Sequence, residues 1–150
     1  MSTTTATILL VHLAATAAMM GLIWFVQVVH YPLFDAVGAD DFVAYEAAHI
    51  QRTSWVVGPF MAAEGLTALW IAAMLRDEVG TVMPLAGLAL LAVVHASTVA
   101  LQVPAHGLLS TGYDADQVAR LVSTNWIRTV GWTARAVLAG VMVVAAIRTV

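Results

Sequence analysis

The chain has no lysine and no cysteine, and only 10% of its 150 residues are charged. Soluble domains carry about 25% charged residues, and a chain this short cannot hide such a deficit in a core. With 61% hydrophobic residues and a mean hydropathy of +0.90, its solvent is lipid. The absence of cysteine excludes disulfides and thiolate chemistry. A formal net charge of -3 without any lysine leaves no basic patch, so nucleic acid is not an expected partner. Residues Met1 to Thr5 lack the positive segment of a signal peptide, and the apolar run after them is too long for one. A retained first span is expected.

A helical span needs about 20 mainly apolar residues, and four stretches qualify: Ala6–Val29, Thr53–Leu75, Val82–Val103 and Ile127–Ile147. Residues 1–150 are therefore read as one all-α, integral membrane four-helix bundle. The link Arg76-Asp77-Glu78-Val79-Gly80 is a tight turn, so spans two and three are antiparallel neighbours. The other links are longer, and each passes from a turn-rich piece into a helical stretch, Phe42–Gln51 and Gln117–Trp126, expected to run on into the next span. Asp114 with Gln117 has capping-box spacing, and Asp40 or Asp41 is the expected cap of the counterpart. Gly58-Pro59 predicts a kink in the second long helix.

A shift of 76 places His30 on His106, Leu33 on Leu109, Asp40 on Asp116, Arg52 on Arg128 and Thr53 on Thr129. This is the pattern of two repeated helical hairpins. Arg76 and Arg148 lie on the side of the termini, which the positive-inside rule makes cytoplasmic. Small-residue faces (Ala14, Ala15, Ala18, Gly21; Ala134, Ala139, Gly140) permit close contacts within a protomer or in a homo-oligomer.

Ionisable side chains inside spans are costly and usually face the bundle or a cavity. Helical spacing puts Gln27 with His30 on one face, and His95, Gln102 and His106 on another. His49, Thr53 and Glu64 share a third, and Asn125, Arg128, Trp132 and Arg135 a fourth. His30, His49, Arg52, His106, Asn125 and Arg128 all lie at the long-loop end, the place for a site at one membrane face. Glu64 lies about 18 Å below Arg52 and is expected to pair with His95 near the midplane. His12, near the opposite surface, is read as an anchor. Trp24, Trp55, Trp126 and Trp132 are read as belt or packing residues.

Three histidines at one level, His30, His49 and His106, suit a first-row transition metal such as iron, copper or zinc, with ligands coming singly from separate helices. Two other readings use the same residues. His30 and His106 could clasp a haem, with Arg52 and Arg128 on its propionates. Without any cofactor, a histidine base with arginine and asparagine would polarise an oxygenated aromatic substrate.

The segments Gln102-Val103-Pro104-Ala105-His106 and Asn125-Trp126-Ile127-Arg128-Thr129 resemble the anthrone oxygenase-like family of small four-span proteins. Gln102 and His106 stand where that family carries asparagines, and His30 and His49 are additional. The resemblance covers most of the chain. It implies oxygenation of a lipophilic polycyclic phenolic ketone, with Asn125, Arg128 and the segment from Gln102 to His106 in the site; Arg52 is a candidate catalytic residue by its place at the long-loop end. A non-catalytic haem or metal carrier, or a small transporter or accessory subunit, is the alternative function.

Overall fold

Ser2 starts the first helix by accepting a hydrogen bond from the Thr5 amide at 3.0 Å, and α1 runs Thr3–Phe25. The computed structural model describes residues 2–148, and among them there is no strand. After α1 come α2 (Ala39–Met74), the single-turn α3 (Arg76–Val79), α4 (Val82–Ser97), α5 (Val103–Leu109) and α6 (Ala115–Arg148). Four helical stretches, Thr3–Ala36, Ala39–Met74, Val82–Leu109 and Ala115–Arg148, are long and apolar enough to cross a membrane. The chain is an all-α four-helix bundle with the character of a multi-pass membrane protein. Residues such as Trp55, Leu66 and Val82, 68 to 80% exposed, turn outward because their solvent is hydrocarbon.

As expected, the amphipathic stretches merge with the spans that follow them. α2 continues through Pro59, and α6 is unbroken. Asp114 caps α6, its Oδ1 accepting from the amides of Asp116 and Gln117 at 2.9 and 3.1 Å. The expected aspartate cap on α2 is corrected. Gly38 is its N-cap without a side-chain bond, and Asp40 and Asp41 lie in the first turn, where they complement the helix dipole. Gly80, at φ +76, ends α3 in a conformation that costs glycine nothing. The two long links are joined where the Tyr113 hydroxyl donates to Asp35 Oδ1 at 3.0 Å. That bond, and secondarily desolvation, raises the Tyr113 phenol above its ordinary pKa.

Two π-helical turns were not expected. Val26–His30 follows α1, and Thr98–Gln102 joins α4 to α5. A proline stands two residues beyond each, Pro32 and Pro104. Proline has no amide to donate, so the carbonyl four residues back loses its usual partner and the helix rewinds around the gap. These turns lie 72 residues apart, whereas the starts of α2 and α6 lie 76 apart. The second half therefore carries one extra helical turn in its link. His30 and His106, aligned by the shift of 76, are not at matching places on their helices.

α1 packs on α2 and α6, and α4 packs on the same two, so the four long helices close a ring with α2 diagonally across from α6. The interior alternates apolar and polar layers. Leu9, Ile71, Leu75, Ala139 and Met142 close the end bearing the termini. Met19, Ile23, Val94 and Trp132 fill the middle. Tyr31, Phe34, Phe42, Leu109 and Leu121 close the long-loop end.

Candidate functional site

Glu46 and His49 are three residues apart on the first turns of α2 and so share a face. The π turn ending at His30 carries His30 and Tyr31 to that face, and α5 brings His106. Glu46 is fully buried and its Oε1 lies 2.5 Å from His106 Nδ1. The other ring nitrogen, Nε2, meets the Tyr31 hydroxyl at 3.0 Å. With Glu46 ionised, Nδ1 donates and Nε2 is left to accept from Tyr31, so the carboxylate sets the tautomer. His49 Nδ1 is met by His30 Nε2 at 2.7 Å and by Thr53 Oγ1 at 3.1 Å. The His30 and His49 rings lie 4.7 Å apart and the His49 and His106 rings 5.2 Å apart. The structure thus brings the three expected histidines together.

The site opens on a cavity of about 370 Å³ whose wall includes Tyr31, His49, Thr53, Gln102, His106 and Arg128. Below it lies a polar layer. Gln27 Oε1 accepts from Asn125 Nδ2 at 3.0 Å and from Thr129 Oγ1 at 3.2 Å, while Gln27 Nε2 donates to the Val122 carbonyl at 3.1 Å. Asn125 Oδ1 accepts from Arg128 Nη1 at 3.2 Å, and the guanidinium sits 5.4 Å above the Trp132 ring. Asn125 is therefore spent on holding Gln27 and Arg128. It positions the arginine rather than facing the cavity. Gln102 Nε2 donates to Thr124 Oγ1 at 2.8 Å. Two buried polar atoms on cavity-lining residues have no partner among the described residues, the donor Arg128 Nε and the acceptor Gln102 Oε1.

Several expectations are corrected. Glu64 does not pair with His95. Its Oε1 accepts from Arg135 Nε at 2.7 Å and its Oε2 from Trp132 Nε1 at 2.9 Å, while Arg135 Nη1 also bonds the Gly87 carbonyl. His95 Nδ1 meets the Leu91 carbonyl of its own helix. A permanent cation is the better partner for a carboxylate at low dielectric, and Arg135 projects across the bundle diagonal to reach it. His12 is no surface anchor: it is buried and its Nδ1 meets Thr67 Oγ1 at 2.9 Å. Of the two readings of Trp132, belt or packing, the second holds: it is buried in the core beside Glu64. Arg52 lies away from the main cavity, in a second one of about 220 Å³ with His30. His30 and His106, the pair expected for a symmetric haem clasp, both pack on the His49 ring.

Glu46 and Tyr31 are the residues that sequence reasoning passed over. The signal for Glu46 was present: Glu46-Ala47-Ala48-His49 is a Glu-x-x-His pair, the spacing that presents two metal ligands from one turn of a bundle helix. The candidate ligands therefore do not all come singly from separate helices. One atom each of Glu46, His49 and His106 lie within 4.8 Å of one another. Glu46 Oε2 is buried without a partner among the described residues, a costly state for a carboxylate oxygen that a cation would relieve. Ligands at about 2.1 Å around a tetrahedral ion lie roughly 3.4 Å apart, so the Glu46–His106 contact must open by about 1 Å. The donor set fits a first-row ion on that condition. Comparison with family models, with curated proteins and with solved structures finds no match to this chain.

Proposed function

We propose that this protein is an integral membrane oxidoreductase of the oxygenase type, acting on a lipophilic aromatic ketone that also bears a hydroxyl group. One observation carries the reading: a buried donor, Arg128 Nε, and a buried acceptor, Gln102 Oε1, have no partner among the described residues, and both belong to residues that line the same cavity as His49 and His106. A phenolic ketone satisfies both, offering its carbonyl to the arginine and its hydroxyl to the glutamine. Each group left unpaired costs about 1–3 kcal/mol, so such a ligand gains affinity over a plain hydrocarbon. The resemblance of the 102–106 and 125–129 segments to the anthrone oxygenase-like family supports the same substrate class.

Arg128 holds the carbonyl oxygen as it becomes an enolate, and Asn125 holds Arg128. A histidine nitrogen takes the proton from the ring carbon, and Tyr31, paired to His106, returns a proton to oxygen. Overall, a ring methylene becomes a carbonyl, one atom of dioxygen entering and the other leaving as water. Glu46, His49 and His106 would hold a first-row ion, which when bound supplies dioxygen chemistry or Lewis acidity. A transporter is less favoured by the interior, because the layers around Trp132 and around Leu9 close the bundle above and below the Glu64–Arg135 pair.

The test is oxygen uptake by the protein in lipid nanodiscs supplied with anthrone. The expected result is protein-dependent uptake, lowered at least about 100-fold in Tyr31→Phe and Arg128→Met, the range for loss of a proton-transfer or charge-stabilising group. Uptake no faster than in empty nanodiscs, with metal-loaded and metal-free protein alike, would sink the proposal.

A further inference from the structure

The second cavity lies on the other side of α2 from the first, between α1 and α2. Five of its lining residues, Leu22, Phe25, Val26, Val56 and Val57, are apolar, and the polar ones are His30, Arg52 and Thr53. Arg52 is exposed and makes no hydrogen bond or ion pair among the described residues. Its depth is set by the sequence, because the apolar run of the second span starts at Thr53, which puts the guanidinium at headgroup level. The second ring nitrogen of His30, Nδ1, also has no hydrogen-bond partner among the described residues, its Nε2 being taken by His49. A cation and a second polar group thus stand at the head of a narrow apolar slot.

We propose that this cavity is a phospholipid-binding site, distinct from the candidate active site. The phosphate of an anionic bilayer phospholipid sits on Arg52 and His30, and one acyl chain lies along Leu22, Val26, Val56 and Val57. The planar guanidinium matches two phosphate oxygens at once. The only anion always present at that depth is the lipid phosphate. The apolar walls exclude a free, hydrated phosphate, because filling them with water gains nothing. The bound lipid also touches the partner of His49, and so sits one hydrogen bond from the main cavity.

Native mass spectrometry of the protein released from phosphatidylglycerol-containing nanodiscs tests this without any assumption about catalysis. One phosphatidylglycerol per chain is expected to survive release. Occupancy should fall about tenfold or more in Arg52→Gln, the effect of losing a charge-assisted bidentate contact. It should also fall in Val56→Trp, which fills the slot and leaves the charge in place. Arg76→Gln, at the opposite end of the bundle, should keep it. Equal retention by Arg52→Gln and the parent overturns the site. So does replacement of the phospholipid by equimolar oleate, which would make this a fatty-acid site, or displacement by inorganic phosphate.

Discussion

Glu46 and Glu64 are two fully buried carboxylates on one helix, 18 residues and about 27 Å apart, and their surroundings are opposite. Glu64 has a permanent cation and an indole donor, both its oxygens are bonded, and apolar layers lie above and below it. Glu46 has a titratable partner, His106, one unpaired oxygen and a cavity alongside. A carboxylate with both oxygens bonded to side chains of one other helix has no free position for a cation, so Glu64 holds helices α2 and α6 in register. Glu46 keeps one oxygen without a partner among the described residues, beside an imidazole that is itself a common metal ligand. The same residue type is thus fully bonded at one depth and left with an open oxygen at the other.

The sharpest way to break this contrast is to remove the cation. Arg135→Leu leaves Glu64 buried and uncompensated, and should cost about 3–5 kcal/mol, read as a lowered unfolding midpoint in detergent. Glu64→Leu with Arg135→Leu should recover much of that loss, because the desolvation cost goes with the charges. If Arg135→Leu unfolds like the parent, the pair does not hold the bundle.

A smaller effect is expected one layer away, where α6 passes α4. A Cβ on Gly131 would run into the Val94 side chain, which is itself fully buried. Gly131→Ala should cost about 1–3 kcal/mol, and Val94→Ala added to it should relieve the clash. No rescue by the second change would place the strain elsewhere.

Glu46→Gln should have the mildest effect on folding, since an amide still offers His106 a bond. A loss of about 1 kcal/mol or less is expected, together with loss of any bound metal. A loss as large as that of Arg135→Leu would make Glu46 a structural residue and erase the comparison.

The bundle was legible in the sequence because span length and hydropathy follow from lipid alone. The gathering of His30, His49 and His106 was legible from helical spacing. Pairing was less so. Face and depth placed Glu64 and His95 within reach of each other, but the choice between His95 and Arg135 depends on which helix lies across the diagonal, and no single-helix pattern contains that. The π turns hid for a related reason: their prolines are visible, but the extra turn in the second link appears only when the two halves are folded. Glu46 was legible as half of a Glu-x-x-His pair. Tyr31 carries no spacing signal, because its role comes from the position of His106 on another helix.

The most direct measurement is the metal content of purified protein after loading with iron, copper or zinc and removal of excess, made on the parent and on Glu46→Gln, His106→Gln and His95→Gln. The account predicts one ion per chain in the parent and in His95→Gln, and less than about a tenth of that in the other two, with all four folded. No ion in the parent, or the same content in all four, would contradict the assignment of Glu46, His49 and His106 as the chemical centre of the bundle.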